Sequence, residues 1–347
     1  MTPADLSLTV LHAVRRAVDD GALRVEVPSR VKVERARPGG AGEYASNIAL
    51  TLARPAGRSA LDVAGIIGER LRDVPELAGV EITGPGFLNF SLRRDAGGEL
   101  VRVIREAGGA YGHGRALAGT SMDFAEVTES RARVVTETVV RLLRSQGARA
   151  SFGAQDISAG PTSPGPASPE PTSAEPTGSE QMYVRPGAYD VEGLGVDAAR
   201  WALLRAAPQD RPLDGPPLLV QHERNSLFRV RYAHSRVQRL LANGRQLGVT
   251  PAYEARPPER AATELLGLLG DHPVALLAAA RHRAPDRVAR HLEAVADALL
   301  AFQHTVLPLG DEKPSAAHRS RLALAEAAGT VLAGGLSVLG ISAPDRI

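Results

Sequence analysis

Cysteine is absent from this chain of 347 residues, and lysine nearly so, because only Lys32 and Lys313 among the 41 basic residues are lysines. Without cysteine the chain forms no disulfide, holds no thiolate zinc site and has no cysteine nucleophile. The arginine bias accompanies many alanine, glycine and proline residues, a composition that a GC-rich genome produces. The number of arginines is therefore not taken as a sign of RNA binding.

Long apolar runs are also missing, since no window approaches the roughly 18 to 20 continuous apolar residues that a membrane span requires. The first residues predict an amphipathic helix carrying Asp5, Asp19 and Asp20, rather than a basic start followed by an apolar segment. We therefore expect no export signal, no membrane partner and a cytoplasmic location.

Charge is nearly balanced over the whole chain, with a formal net charge of +2, but it is unevenly distributed. Residues 220–245 contain one acidic side chain, Glu223, among several arginines. These arginines are Arg224, Arg229, Arg231, Arg236, Arg239 and Arg245. Such clustering, unlike overall charge, indicates a surface suited to an anionic partner.

Four segments follow from periodicity and composition, and together they predict an α+β fold. Residues 1–108 predict a small α/β domain, and residues 109–157 a strand, helix and strand. Residues 158–185 are rich in Pro, Ser, Thr and Gly, which predicts a disordered linker. Residues 186–347 predict an all-α bundle, in which Pro273 is expected to separate helices at 261–269 and 274–283.

Several motifs resemble those of bacterial arginyl-tRNA synthetases. They are Gly42–Asn47, Gly84–Phe90 (GPGFLNF), Asp197–Arg200 (DAAR), Arg231–Arg236 (RYAHSR) and the C-terminal stretch Gly334–Ile347. The resemblance implies an N-terminal domain that touches the D-loop of tRNA in residues 1–108, and a DALR-type anticodon-binding domain in residues 186–347.

The resemblance implies RNA contacts from the first two motifs. The candidate residues are Tyr44, Asn47, Phe87 and Asn89. Phe87 and Asn89 alternate along their strand with the apolar Leu88 and Phe90, so they point to the opposite face. An exposed ring can stack on an unpaired base while an amide reads its edge. The alternative is that Phe87 packs under a loop or helix.

A second candidate surface lies on the helix that carries the RYAHSR motif. Arg229, Tyr232, Arg236 and Arg239 recur at helical spacing and form one stripe beside the apolar Val230 and Val237. A phosphate backbone can follow such a stripe, with Tyr232 available for stacking. The alternative is a solvated charged face with Tyr232 filling the bundle.

The catalytic centre that the resemblance would imply is not found in the sequence. The predicted strand Met122–Val127 and the helix after it resemble the start of the family's catalytic fold, which is marked by His-x-Gly-His and Lys-Met-Ser-Lys-Ser motifs. Neither motif is present, and only residues 128–131 connect this strand to its helix. We therefore predict no catalytic residue and no cofactor. The histidines lack a recognised ligand spacing, so no metal is predicted either.

These observations predict a non-catalytic tRNA-binding protein, with arginine tRNA as the first candidate ligand. The linker is expected to let the two modules span different sites on the RNA and gain avidity. Two alternatives stay open. The chain could be an interaction or regulatory subunit, for example of a complete aminoacyl-tRNA synthetase, or an aminoacylation accessory whose catalytic partner acts in trans.

Overall fold

The computed structural model describes residues 3–36, 41–74, 76–92, 96–153, 180–254 and 260–347. The chain packs as two compact units, each assembled from three segments. The first comprises Met1–Gly108, Arg236–Val274 and Ala298–Val331, and the second comprises Gly109–Ser235, Ala275–Asp297 and Leu332–Ile347. Each unit thus combines stretches that the sequence analysis assigns to different domains, and the predicted boundaries stay a prediction.

The first unit contains an antiparallel sheet with helices against one face. Its strands are β1 (Glu34–Arg35), β2 (Tyr44–Ser46), β3 (Leu77–Thr83) and β4 (Phe87–Leu92), in the order β1-β2-β4-β3. Its N-terminal helices are α1 (Pro3–Asp19), α2 (Ile48–Ala56), α3 (Ala60–Glu69) and α4 (Ala96–Ala107). Leu88 and Phe90 of β4 are fully buried in the core between this sheet and the helices, as their alternation predicts.

The turn between β3 and β4 depends on glycine. Gly86 has a φ of 127°, and a Cβ there would lie 2.8 Å from the carbonyl oxygen of Ala60. Only glycine accepts that backbone angle and that close approach without strain. The turn therefore fixes where Phe87 begins β4.

The second unit begins with the predicted strand, helix and strand. Strands β5 (Ser121–Phe124) and β6 (Arg149–Phe152) are parallel, and α5 (Ser130–Ser145) connects them. The predicted linker 158–185 lies outside the described residues as far as residue 179. Beyond that point Glu180 pairs in parallel with Phe124.

The remaining elements are helical, and the predicted α+β class is confirmed. They are α6 (Val191–Leu204), α7 (Ser226–Gln246), α8 (Arg260–His282), α9 (Asp286–Phe302) and α10 (Ala316–Leu339). The predicted break at Pro273 is wrong, because α8 is continuous. An interior proline costs about 3 kcal/mol. Leu269 and Leu276 on either side of it are almost completely buried, and each such burial contributes about 1.5–3 kcal/mol.

Helix α10 is long and apolar enough to cross a membrane, and among the described residues no other helix is. Within the protein, however, 78% of its apolar window is buried. A helix that is apolar on all sides and surrounded by other elements is typical of a protein core.

Candidate nucleic-acid interface

Phe87 is accessible at the first position of β4. Its side chain is 39% exposed, on the face of the sheet opposite the buried Leu88 and Phe90. An accessible ring at the start of a strand can stack on a planar group that approaches from solvent. Phe87 is thus accessible, and its role in RNA contact stays a prediction.

Asn89 does not match its predicted role. The residue is only 6% exposed, and its Nδ2 donates to Thr83 Oγ1 at 2.7 Å. The same amide nitrogen lies 3.4 Å from the carbonyl oxygens of Glu81 and Phe87. The amide is therefore used inside the β3–β4 hairpin, which disfavours contact with a base edge, and that role stays a prediction. A short amide next to a neighbouring strand satisfies local donors and acceptors first.

Tyr44 and Asn47, from the other N-terminal motif, also differ in accessibility: one is buried and the other is exposed. Tyr44 is 7% exposed, lies opposite Phe90 in the sheet and belongs to the hydrophobic core. This burial disfavours the RNA contact of Tyr44, which stays a prediction. Asn47 is exposed directly before α2, and its side chain does not cap that helix. Phe87 and Asn47 are thus the two accessible candidates of this module.

The sheet face around Phe87 is acidic. Ala45 lies between Glu34 and Asn89 in register, and Asn89 lies next to Glu81, so these side chains share one face. Glu34 and Glu81 are both exposed, and Lys32 Nζ lies 2.6 Å from Glu34 Oε1. Carboxylates repel phosphate groups. RNA contact here must therefore rest on base stacking rather than on phosphate neutralisation.

On α7 the predicted basic stripe is partly neutralised by neighbouring residues. Arg229 Nε lies 3.0 Å from Asp297 Oδ1, and its Nη1 donates to the carbonyl oxygen of Glu223 at 2.9 Å. Arg236 Nε donates to Gln303 Oε1 at 2.8 Å. Arg239 is exposed and has no hydrogen bond or ion pair to any described residue. Of the three arginines, Arg239 is thus the most available to a phosphate.

Tyr232 has an aromatic neighbour that the sequence analysis does not single out. Its ring stacks on Phe228, with centroids 5.5 Å apart and an interplanar angle of 17°. Tyr232 is 36% exposed. A cleft of about 300 Å³ lies beside Phe228 and is lined by exposed apolar residues, among them Val196, Leu219 and Ile347. The spacing of Phe228 and Tyr232, one helical turn apart, is the signal that could have identified the pair.

The DAAR and RYAHSR motifs mainly hold the C-terminal residues in place. Asp197 Oδ1 accepts from the backbone N–H of Ser342 at 3.0 Å, and its other oxygen lies 3.4 Å from Arg231 Nη2. Arg200 Nε donates to the carbonyl oxygen of Leu339 at 3.0 Å. His234 and Ser235 contact the carbonyl oxygens of Pro344 and Asp345 respectively. These motif residues therefore have structural partners already.

The N-terminus of α5 is occupied by a side chain of the protein itself. Glu129 accepts from the backbone N–H groups of Ala132 at 2.6 Å and Gly187 at 2.9 Å. Burial opposes ionisation of this carboxyl, but the backbone donors outweigh it and hold its pKa below the ordinary value. A helix N-terminus is where phosphates usually bind. A phosphate would here have to displace the Glu129 carboxylate.

Arg131, two residues after Glu129, is completely buried. Its side chain is 0% exposed, and the guanidinium donates to five backbone carbonyl oxygens. The acceptors belong to Arg185, Leu203, Ala206, Ala207 and Asp210. The start of α5 thus joins the end of α6, and the Arg131 guanidinium has no N–H group left for a ligand. Among the described residues there is also no cluster of His, Asp and Glu that could hold a metal.

Two family profiles match the chain, and they match in the regions just described. The arginyl tRNA synthetase N terminal domain matches residues 8–92, and the DALR anticodon binding domain matches residues 230–347. The chain is related to the arginyl-tRNA synthetases. Both matches lie outside the β5–α5–β6 region.

The chain is also similar in sequence to arginine–tRNA ligases. The one from Frankia alni is 27% identical over 555 aligned positions, which cover 100% of both sequences. The one from Micrococcus luteus is 40% identical over 163 residues, or 43% of this chain and 29% of the relative. An alignment of 555 positions against 347 residues leaves a long stretch of the Frankia relative without a counterpart.

Solved synthetase structures share the fold. The Thermus thermophilus arginyl-tRNA synthetase superposes with a TM-score of 0.70 at 14% identity and 100% coverage of both chains. The Plasmodium falciparum arginyl-tRNA synthetase gives a TM-score of 0.65 at 9% identity and 99% coverage of both. At these identities the likeness concerns the fold alone.

Proposed function

We propose that this chain binds tRNA without aminoacylating it, as a relative of arginyl-tRNA synthetase that has no adenylate-forming site. The single observation that carries this proposal is the α5 N-terminus, where Glu129 takes the backbone donors that would receive a phosphate. The short β5–α5 connection and the unmatched stretch of the Frankia alignment support it. A reaction that needs stabilised phosphate charge loses its largest catalytic contribution in such a site.

The RNA contacts we propose are those whose side chains are accessible. Phe87 would stack on an unpaired base, and Tyr232 on its Phe228 support would stack on another. Arg239, assisted by Arg236, would neutralise phosphates. We propose arginine tRNA as the ligand because the matched N-terminal domain is that of arginyl-tRNA synthetases and the similar relatives are arginine–tRNA ligases. A cytoplasmic location is part of the same proposal.

The experiment is a gel-shift titration with total tRNA and with isolated arginine tRNA, at low and at near-physiological salt. Binding should weaken as salt rises, by about 0.7 to 0.9 in log K per log unit of salt for each phosphate neutralised. Combining Phe87→Ala with Arg239→Ala should abolish the shift. Asn89→Ala serves as the matched variant in the same hairpin. Absence of any wild-type shift at low salt refutes the proposal of binding.

Loss of catalysis has a separate test. ATP–pyrophosphate exchange with arginine should stay at background for the purified chain, because the Glu129 carboxylate already accepts from the backbone N–H of Ala132 at the α5 N-terminus and from that of Gly187. Detectable exchange would refute the non-catalytic part while leaving tRNA binding untouched. Adding the chain to a complete arginyl-tRNA synthetase and measuring aminoacylation tests the accessory role in trans.

A protein partner is the second candidate function, and one observation favours it. Tyr183 is 84% exposed and lines a cleft of about 560 Å³ with Met182, Val184 and Pro186. An aromatic residue exposed to that extent is characteristic of interaction surfaces. We propose a complete aminoacyl-tRNA synthetase as the partner. Size-exclusion chromatography of the two purified proteins, with Tyr183→Ser as the control, decides this point.

A further inference from the structure

The edge strand of the N-terminal sheet is joined to helix α8 by an ion pair. Arg35 Nε of β1 lies 3.0 Å from Asp271 Oδ2, and each side chain is about one third exposed. Burial raises the pKa of the Asp271 carboxyl, while the Arg35 charge lowers it and offsets part of that effect. This pair connects two parts of the first unit that are far apart in the sequence.

Glycines allow the backbones to come close around this ion pair. A methyl group at Gly267 would overlap the Arg35 guanidinium. One at Gly270 would lie 3.6 Å from Pro3 and 3.7 Å from Leu100. We call this contact between residues 1–108 and the helical segments of the first unit the dock. Its close packing indicates a fixed arrangement rather than a transient one.

A second edge of the dock lies at α4. Tyr253 packs so closely on α4 that a Cβ at Gly97 would lie 2.6 Å from its hydroxyl oxygen. Arg105 Nε lies 2.7 Å from Glu326 Oε2. A cleft of about 610 Å³ opens beside this ion pair. Both edges hold the N-terminal module onto the helical segments of the first unit, and the predicted linker stays a prediction.

We propose that Arg35 and Asp271 are positioning residues that set the spacing between two RNA-contact surfaces. Phe87 belongs to one side of the dock and Arg239 to the other, both within the first unit. A fixed spacing lets the second contact form without a further loss of conformational entropy. The ligand is then an RNA that presents an unpaired base to Phe87 and a phosphate to Arg239 at that spacing. A folded tRNA does so, whereas a separate hairpin does not. This inference rests on the proposed tRNA binding.

Gly267→Ala is the decisive variant. The new methyl displaces the flexible end of Arg35, and so breaks the ion pair without removing either charge. Alanine also favours the helix by about 1 kcal/mol over glycine, so the protein should stay folded. Arg105→Ala, added to it, loosens the second edge. The matched control is Arg102→Ala on α4, since Arg102 pairs, among the described residues, with Glu99 and Glu106 of its own helix.

Fluorescence anisotropy would measure the Kd for folded arginine tRNA and for its isolated D-arm and anticodon-arm hairpins. We expect the Gly267→Ala, Arg105→Ala double variant to weaken tRNA binding about tenfold, since coupled contacts share an effective concentration. Hairpin binding should stay unchanged, and so should every value for Arg102→Ala. The charge swap Arg35→Asp with Asp271→Arg should bind tRNA more tightly than either single change.

Three results would overturn this inference. The double variant could bind tRNA as tightly as the wild type, or it could lose hairpin and tRNA binding to the same extent. The wild type could also bind tRNA no more tightly than its better hairpin. If the proposed tRNA binding itself is wrong, the result is distinguishable from these three, because the wild type would then bind none of the three RNAs.

Discussion

Replacing Arg131 with methionine should be among the most destabilising changes in the second unit. The substitution keeps an apolar stem but leaves five carbonyl oxygens, two in buried and three in partly buried hydrogen bonds, without their donor. Hydrogen bonds from a charged donor contribute about 1.5–3 kcal/mol each, although contributions within one network do not add. Breaking a buried charged interaction typically costs about 3–5 kcal/mol. We therefore expect a loss of about 4 kcal/mol, a large share of the 5–15 kcal/mol that stabilises a typical domain.

The chain carries its own probe for this measurement. Trp201 is the single tryptophan, is fully buried in α6 and donates to Ser226 Oγ at 3.0 Å. Urea unfolding followed by its fluorescence therefore reports the element to which Arg131 binds. The matched control is Arg133→Met on the same helix, because Arg133 is exposed and makes one long hydrogen bond, of 3.4 Å, to Val127. That control should change stability by about 0.5 kcal/mol or less.

A free energy of unfolding for Arg131→Met within about 1 kcal/mol of the wild-type value would contradict the structural role derived from these contacts. The guanidinium would then be available to a ligand after all, and the reasoning that Arg131 has no N–H group left for a ligand would fail. Repeating the urea unfolding with ATP present distinguishes a guanidinium with a structural role from one that is available to a ligand. A ligand that binds only the folded state shifts the midpoint.

Four further changes test the site. Phe87→Ala should weaken tRNA binding by about 1–3 kcal/mol without loss of stability, whereas Asn89→Ala should lower stability by about 1 kcal/mol, as thermal unfolding and anisotropy together can show. Asp297→Asn frees Arg229 and should steepen the salt dependence of binding by about 0.7 to 0.9 in log K per log unit of salt. Because the pKa of Glu129 is lowered on folding, its contribution to stability is present above its unfolded pKa and is lost as the pH falls through the folded value. Acid unfolding curves of the wild type and Glu129→Gln should therefore converge at low pH.

The spacing of apolar residues is sufficient to predict an element whose structure is determined by its buried face. The sequence predicts that the C-terminal part of the chain is helical, and it predicts which residues of β4 enter the core. In both cases the apolar pattern repeats without competition, so burial and local propensity agree. The same agreement explains why the β5–α5–β6 unit is found correctly from a short apolar strand, a helical stripe and a second strand.

Prediction fails where the outcome depends on a partner distant in the sequence. Pro273 breaks helices on average, but burial on both sides of it keeps α8 continuous. Alternation places Asn89 on the outer face correctly, yet its amide is used by Thr83 across the hairpin. Tyr44 is an aromatic residue within a family motif, and the motif does not reveal that it packs in the core. Tertiary contacts of this kind override local pattern.

A family motif identifies residues that the fold requires as readily as residues that contact RNA. In RYAHSR, Arg231, His234 and Ser235 hold C-terminal residues, whereas Tyr232 keeps an exposed ring. Presence of the motif therefore argues for the fold and is neutral on binding. Binding depends instead on side chains that the fold does not use. Substituting Arg239 tests RNA contact without disturbing the motif, and substituting His234 tests the fold; an equal loss of tRNA affinity from both at unchanged stability would contradict this division.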